Sequence, residues 1–169
     1  MRHRELVPLL VVIVVALAAV WVHHRRGDPP SLPTAGKVAR VIDGDTFVLT
    51  AGGGSYRIRV LGIDTPETVD PRKPVQCYGP QASAYAKHLL AGRRVRLEYD
   101  RVVRDRYGRL LAYVWLAGPQ PLFLDADLVA RGYARTLSIP PNTAHAAQLA
   151  ALQSRAIMAG RGLWGACAA

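Results

Sequence analysis

The sequence has few of the residues that build histidine-rich or cysteine-rich metal sites. It contains two cysteines and five histidines among 169 residues. His3, His23 and His24 flank an apolar stretch near the N-terminus, whereas His88 and His145 stand apart in later segments. A zinc site needs nitrogen or sulfur ligands at a clustered spacing. The pattern therefore disfavours a histidine-based metal centre, and we expect His88 and His145 to be surface or helix-capping residues.

Acidic residues are also scarce. Twelve Asp and Glu residues stand against 22 Lys and Arg residues, for a formal net charge of +10. A basic surface attracts polyanions, most often nucleic acids or anionic lipids. Many basic domains bind neither, so the charge alone leaves simple solubility as an alternative. No internal repeat or low-complexity tract is present, and we expect a single folded domain.

Long apolar runs are absent except for one, which extends from Leu6 to Val22 and is interrupted only by Pro8. A membrane-spanning helix needs about 20 residues, whereas the core of a cleavable signal peptide is shorter, about 7–15 residues. We therefore expect residues 1–26 to form an uncleaved signal anchor that spans the cell membrane once through residues 6–22. A cleaved signal peptide is the alternative, and an anchor facing the cytoplasm is the third option.

The segment after this run is rich in proline and glycine and predicts a stiff linker over residues 27–36. The folded domain is then expected over residues 37–169, outside the cytoplasm. Cys77 and Cys167 are an even number of cysteines in an exported domain, which favours a disulfide between them. Two free buried thiols remain the alternative.

Short segments of alternating or apolar side chains predict a barrel. Strands are expected at 37–42, 47–50, 56–61, 95–99 and 110–116. Helices are expected from Pro80 to about Ala91, near 122–131, and over a last segment capped by Asn142 or Thr143. This order predicts an α+β protein dominated by a five-stranded OB-type barrel with three helices, preceded by one transmembrane helix.

Carboxylates in two short segments predict a site for a hard cation. Asp45 follows a break between two strands, and Asp64 ends an apolar run. Ca²⁺ prefers carboxylate and backbone carbonyl oxygens. Pro66 biases Thr65 toward an extended shape, which leaves the Thr65 carbonyl available as a third ligand. Taken alone, each segment also fits an ordinary turn.

Glu67, Arg59 and Arg109 add groups that can act on a phosphodiester. Glu67 comes three residues after Asp64 and can reach a water molecule near the cation as a general base. The two guanidinium groups can hold phosphoryl oxygens and stabilise the extra negative charge of a five-coordinate phosphorus. Each residue by itself is also consistent with a solvated loop, strand or turn position. The combination is typical of phosphodiester hydrolysis.

Four runs in this order together resemble the staphylococcal nuclease (thermonuclease) family. They are Val41 to Thr46, Arg59 to Glu67, Tyr78 to Ser83 and Asp105 to Ala112, and the resemblance covers roughly residues 37–165. It implies an OB-fold with three helices and a Ca²⁺-dependent endonuclease. Such an enzyme hydrolyses DNA and RNA to 3′-phosphorylated products.

Roles for individual residues follow from the same resemblance by motif position. It implies that Asp45, Asp64 and the Thr65 carbonyl bind Ca²⁺, that Arg59, Glu67 and Arg109 are catalytic, and that Tyr107 lies near the nucleotide. One departure lies between Gly132 and Asn142, where the family offers tyrosines and this chain has Thr136 to Pro141 instead. Because an aromatic ring contributes about 1–3 kcal/mol per stacked base, we expect an altered affinity or base preference here.

The sequence thus predicts a membrane-tethered, monomeric nuclease that acts on single-stranded or flexible DNA or RNA. The alternative from another class is a non-catalytic OB-fold module that binds single-stranded nucleic acid without cutting it. A second alternative is a domain that binds anionic lipid through its basic face.

Overall fold

The computed structural model describes residues 32–68, 70–71 and 74–167. The predicted anchor over residues 1–26 and most of the predicted linker lie outside these residues. None of the helices in the described part is long and apolar enough to cross a membrane. A compact unit begins at Pro33.

Strands form where apolar and polar side chains alternate. In the segment Arg94–Glu98, for example, Val95 and Leu97 are buried while Arg94 and Arg96 are exposed. The described residues contain β1 (Ala35–Val41), β2 (Thr46–Ala51), β3 (Gly54–Val60), β4 (Gly62–Asp64), β5 (Arg94–Glu98), β6 (Leu110–Leu116), β7 (Leu122–Phe123) and β8 (Arg135–Leu137). The first strand begins at Ala35, so that Ala35 and Gly36 belong to the sheet and not to the predicted linker.

Five of these strands close into a barrel. Their order is β3, β2, β1, β5 and β6, and a parallel pairing of β3 with β6 completes the circle. In that pairing Ile58 lies opposite Leu110 and Val60 lies opposite Ala112. β7 extends the sheet beside β6, while β4 and β8 form a separate two-stranded ladder. The predicted five-stranded barrel is therefore confirmed.

Three helices of seven or more residues pack against the barrel, as predicted. They are α1 (Gly79–Leu90), α2 (Leu124–Ala130) and α3 (Ala146–Met158), and one turn of helix, α4 (Leu163–Ala166), follows them. The second helix begins later than expected because Leu122 and Phe123 pair with β6. Its last turn ends at Gly132, whose positive φ of 75° suits glycine.

The predicted cap of the last helix is wrong. α3 begins after His145, which is its N-cap residue. Asn142 instead binds a neighbouring segment, because its Oδ1 accepts the N–H of Val102 at 2.8 Å and its Nδ2 donates to the Val102 carbonyl at 2.7 Å. This pair of bonds fixes the loop before α3 against the loop after β5.

The core consists of apolar side chains from the strands and from the inward faces of the helices. Its buried members include Val38, Phe47, Leu49, Ile58, Leu97, Leu110, Val114, Ala86, Leu128 and Leu149. Burial of a large aliphatic or aromatic side chain stabilises a fold by roughly 1.5–3 kcal/mol. This packing makes the barrel a rigid support for the loops at its rim.

A disulfide joins Cys77 to Cys167 across a sequence separation of 90 residues. It links the segment before α1 to the residue that follows α4. The predicted pairing of the two cysteines is confirmed.

Asp125 is a fully buried carboxyl at the start of α2. Its Oδ2 accepts the N–H of Val114 at 3.0 Å, and its Oδ1 has no hydrogen-bond partner among the described residues. Burial therefore raises the pKa of Asp125 well above its ordinary value, because the charged form loses its hydration. The folded state binds this proton more tightly than the unfolded chain does.

The pH dependence of stability follows from that difference. The stabilisation by the neutral Asp125 is complete below the unfolded pKa and is lost as the pH rises through the folded pKa. We expect Asp125→Asn, which keeps an oxygen for Val114 without a charge, to increase the free energy of unfolding more at about pH 8 than at about pH 4. Urea unfolding at both pH values measures this. An equal change at the two values would contradict it.

Candidate active site

The side chains that the sequence singles out come together at one depression of about 390 Å³ on the barrel rim. Three parts of the chain supply its walls: the turn between β1 and β2, the segment from β3 through Glu67, and the turn before β6. The walls include every predicted site residue, namely Asp45, Arg59, Asp64, Thr65, Glu67, Tyr107 and Arg109. The chain thus gathers acids and guanidinium groups from positions far apart in sequence.

Asp45 is buried and holds the rim together. Its Oδ2 accepts the backbone N–H of Thr65 at 2.9 Å and the Thr65 hydroxyl at 3.1 Å, while its Oδ1 accepts the Thr46 hydroxyl at 3.1 Å. Gly44 makes the close approach possible, because a Cβ there would lie 2.6 Å from Thr65 Cγ2. Asp45 therefore connects the β1–β2 turn to the segment after β4.

Asp43 is the other carboxyl of this turn. Its Oδ1 accepts the backbone N–H of Asp45 at 3.0 Å. Burial, together with the nearby charge of Asp45, raises the pKa of Asp43 to about 6. The hydrogen bond shows that Asp43 shapes the turn from which Asp45 projects.

Arg59 lies on β3 and bridges the two predicted acidic ligands. Its Nε is 3.2 Å from Asp45 Oδ1, and its Nη2 is 3.0 Å from Asp64 Oδ1. Its Nη1 donates to the carbonyls of Val60 and Ile63 at 2.6 and 2.8 Å. These bonds fix the guanidinium at the wall of the depression, while the Asp64 side chain stays 58% exposed.

This donor set fits a hard cation such as Ca²⁺. Contact with the same guanidinium shows that Asp45 and Asp64 can share one positive charge. The available donors are oxygens, which calcium prefers. In the part of the chain that the structure describes, no three side chains of His, Cys, Asp or Glu form a metal-binding group.

Arg109 reaches the depression from the turn before β6. Asp105 orients it, because Asp105 Oδ2 accepts a hydrogen bond from Arg109 Nε at 2.6 Å and Asp105 Oδ1 accepts the Arg109 N–H at 3.0 Å. Burial pushes the pKa of Asp105 upward, but the hydrogen bonds and charge of Arg109 outweigh burial and lower it. The carboxylate therefore stays charged and keeps Arg109 in place.

Tyr107 stands at the edge of the depression and is 65% exposed. Its ring lies 5.5 Å from the guanidinium carbon of Arg109 and 4.8 Å from that of Arg106. An exposed aromatic ring beside an arginine can contact a nucleotide through both stacking and charge.

Glu67 lies in the loop after β4, and its backbone is fixed by Gln76. The Glu67 N–H donates to Gln76 Oε1 at 2.9 Å, and the Gln76 N–H donates to the Glu67 carbonyl at 2.9 Å. Glu67 Oε1 accepts the N–H of Thr68 at 2.8 Å and that of Asp70 at 3.2 Å. The carboxylate is thus oriented at the wall of the depression.

An apolar cleft of about 300 Å³ adjoins this depression, and Arg59 and Arg109 line both. Two exposed apolar residues form its outer edge, Leu137 at the end of β8 and Ile139 in the loop before α3. The cleft places an apolar surface directly beside the two guanidinium groups.

Sequence reasoning missed two positioning residues. Asp105 begins the run from Asp105 to Ala112, but the sequence analysis gave it no role. Its spacing of four residues from Arg109, with Gly108 between them, is the signal that indicates an ion pair between Asp105 and Arg109. Gln76 gave no such signal, because its contact with Glu67 depends on how the loop folds back.

The barrel is closed by β3 and β6, and acids and arginines meet at its rim. The family described as Staphylococcal nuclease homologue matches residues 57–166. The chain belongs to the staphylococcal nuclease family.

Relatives with assigned names support this placement. The chain is 42% identical to the Thermonuclease of Staphylococcus intermedius over 140 residues, which cover 79% of this chain and 82% of that protein. It is 37% identical to the Thermonuclease of Staphylococcus hyicus over 164 residues, which cover 92% and 95%. It is also 42% identical to Endonuclease YncB of Bacillus subtilis (strain 168) over 106 residues, which cover 62% and 49%.

Proposed function

We propose that this chain is a Ca²⁺-dependent endonuclease that hydrolyses the phosphodiester bonds of DNA and RNA and leaves 3′-phosphorylated ends. The observation that carries the proposal is the single depression in which Asp45, Asp64, Glu67, Arg59 and Arg109 meet. Relatives named thermonuclease and endonuclease support the same reaction class.

The residues divide the reaction among them. Ca²⁺, when bound to Asp45, Asp64 and the Thr65 carbonyl, supplies positive charge next to the scissile phosphate. Glu67 takes a proton from the attacking water, whose oxygen bonds to phosphorus as the bond from phosphorus to the 5′ oxygen breaks. Arg59 and Arg109 donate hydrogen bonds to the phosphoryl oxygens, and these bonds strengthen as negative charge builds.

The adjoining apolar cleft accommodates a base of the substrate. A phosphate held by Arg59 and Arg109 brings its nucleoside next to the cleft, because both arginines line its wall. A base enters this cleft only when it is unpaired, which favours single-stranded or flexible DNA or RNA. Ile139 and its neighbours replace the tyrosines that the family resemblance leads one to expect here, so apolar contact takes the place of stacking.

We also propose that the domain works outside the cytoplasm, tethered by residues 6–22. The disulfide between Cys77 and Cys167 supports this location, because such bonds persist in oxidising compartments. The apolar run from Leu6 to Val22 has the length of a spanning helix.

A cleavage assay on single-stranded DNA separates the enzyme from a binding module. We expect cleavage with added Ca²⁺ and none with excess chelator, since the cation supplies positive charge beside the phosphorus as the bond breaks. End-group analysis should find 3′-phosphates. Binding of the DNA in Ca²⁺ without any cleavage would reject the enzyme and support the non-catalytic module.

A further inference from the structure

A second depression lies outside the site described above. It is a depression of about 510 Å³ between the end of α2 and the start of α4, which we call the arginine groove. Its walls are Asp127, Ala130, Arg131, Tyr133, Arg161 and Gly162. None of these residues has a role in the proposed reaction.

Two glycines bring its arginines together. Gly132 and Gly162 both have positive φ, and the Gly132 carbonyl accepts the N–H of Leu163 at 2.9 Å. A Cβ on Gly162 would lie 2.3 Å from the Gly132 oxygen, so only glycine permits this approach. The two turns therefore pack against each other and place Arg131 beside Arg161.

Both guanidinium groups are anchored at one nitrogen. Arg131 Nε donates to Asp127 Oδ1 at 2.8 Å, and Arg161 Nη1 donates to the Ala130 carbonyl at 3.1 Å. Asp127 Oδ2 also accepts the hydroxyl of Tyr85 at 2.7 Å, so both oxygens of this carboxylate have partners within the wall. An anchored guanidinium loses little freedom when its other nitrogens bind an anion.

Stacked aromatic rings make the wall of the groove rigid. Tyr133 stacks on Tyr85 with ring centroids 4.3 Å apart and on Tyr78 with centroids 5.5 Å apart. Arg131 in turn lies over the Tyr85 ring at 5.6 Å. Because Tyr133 already stacks on two other rings, the groove offers a ligand mainly the charge of its arginines.

A path of neighbouring residues leads from the active site toward the groove. Arg135 on β8 lies directly opposite Asp64 on β4, so the two side chains emerge on the same face of that ladder. The Arg135 guanidinium lies 4.6 Å from the centre of the Trp164 ring. Trp164 follows Gly162 by two residues, and Gly162 lines the groove. Arg135 is thus a neighbour both of Asp64 in the active site and of Trp164 in the helical turn that begins at the groove.

We propose that the arginine groove is an exosite for the phosphate backbone of a single-stranded nucleic acid whose scissile phosphate lies in the active site. This inference rests on the proposed function, because the path begins at Asp64. The exosite binds the phosphates of the backbone through their charge and their spacing. It therefore raises the affinity for long strands without a base preference. The link through Arg135 to Asp64 favours nucleic acid over a lipid headgroup as the ligand.

The test compares two double variants of the full-length protein. Arg131→Gln with Arg161→Gln removes the two positive charges of the groove. Arg93→Gln with Arg94→Gln removes two positive charges at the end of the barrel opposite the active site. Both control arginines are exposed, and Arg94 pairs with Lys37 at the end of β1 remote from Asp45. Binding of a labelled single strand of about 12 nucleotides, within the site sizes of single-strand binders, is followed by anisotropy with chelator present.

We expect the groove variant to bind the long strand at least about tenfold more weakly than wild type. Its salt slope should fall by about 1.4, since each phosphate contact on a single strand contributes about 0.7. Cleavage of a dinucleotide with Ca²⁺ should stay unchanged, because that substrate is too short to reach the groove. The control variant should bind the long strand within about twofold of wild type. Arg131→Lys with Arg161→Lys should recover most of the affinity, because it restores the charge.

Several outcomes would overturn the exosite. One is an equal loss of strand affinity in the groove variant and the control variant, and another is an unchanged strand affinity of the groove variant. A third is a groove variant that loses binding to phosphatidylserine vesicles but keeps its affinity for the strand. If wild type cleaves but the groove variant binds normally, the exosite alone is rejected. If wild type binds the strand through the groove but never cleaves it, the proposed catalysis fails and the exosite stands.

Discussion

Replacing Arg109 with glutamine is expected to lower the rate of single-strand cleavage by at least about 10²–10³-fold, the cost of losing one transition-state donor in other enzymes. The guanidinium lies at the wall of the depression and is held by Asp105 at 2.6 Å. It is therefore positioned before substrate binds, and in the proposed reaction its charge acts mainly on the phosphorane. Single-turnover cleavage at saturating Ca²⁺ and strand concentration measures the effect, which should fall on kcat more than on KM.

The matched control for this substitution is Arg106→Gln. Arg106 is exposed, donates to the Tyr107 hydroxyl at 2.6 Å and lies over the Tyr107 ring. It is three residues away in the same turn and does not line the depression. Its replacement should change the rate by less than about fivefold, since surface charges contribute little. Equal losses in the two variants would show that the turn contributes general charge and that Arg109 has no special position.

Removal of the disulfide by Cys77→Ser with Cys167→Ser is expected to lower the free energy of unfolding by about 2–4 kcal/mol. The bond closes a loop over a sequence separation of 90 residues. In the chain-entropy account a long loop gives a large effect, because the cross-link restricts the unfolded chain. Urea unfolding followed by tryptophan fluorescence measures it, since Trp164 lies close to Cys167.

Reductant supplies the control for the disulfide prediction. It should destabilise wild type to the level of the double serine variant and leave that variant unchanged. If wild type and the double variant unfolded at the same urea concentration without reductant, the bond would contribute nothing to stability.

The strands of the barrel were predictable because each has a recognisable pattern of apolar side chains in its own sequence. β5 alternates buried and exposed side chains, and β6 is apolar along most of its length, so both were found from the sequence. Which two strands close the barrel could not be predicted from any single segment of the sequence. It depends on a parallel pairing between Ile58 and Leu110, residues whose contact is decided by the packing of the whole sheet.

The misplaced cap shows where local rules fail. Asn142 has the chemistry of a helix cap, but its amide makes two bonds to Val102 in another loop. A tertiary partner forty residues away thus overrode the local preference. His145 took the N-cap position instead, and its Nε2 lies 2.9 Å from Glu98 Oε1 on β5.

The candidate site was predictable in its members and less so in its connections. Carboxylates and arginines at motif positions pointed to the seven residues that line the depression. The hydrogen bond from the Glu67 N–H to Gln76 depends on how one loop folds back, and the arginine groove joins the end of α2 to Arg161, thirty residues after Arg131. Contacts of that kind become visible only in three dimensions.

A calcium titration of the single-strand cleavage rate tests the central claim most directly, with wild type, Asp64→Asn and Glu67→Gln compared. If Asp64 holds the ion and Glu67 moves the proton, Asp64→Asn will raise the Ca²⁺ concentration needed for half-maximal rate. Glu67→Gln will lower the maximal rate by about 10²–10⁴-fold, the usual contribution of a general base, with little change in that concentration. Titration curves that coincide for all three proteins would contradict the account.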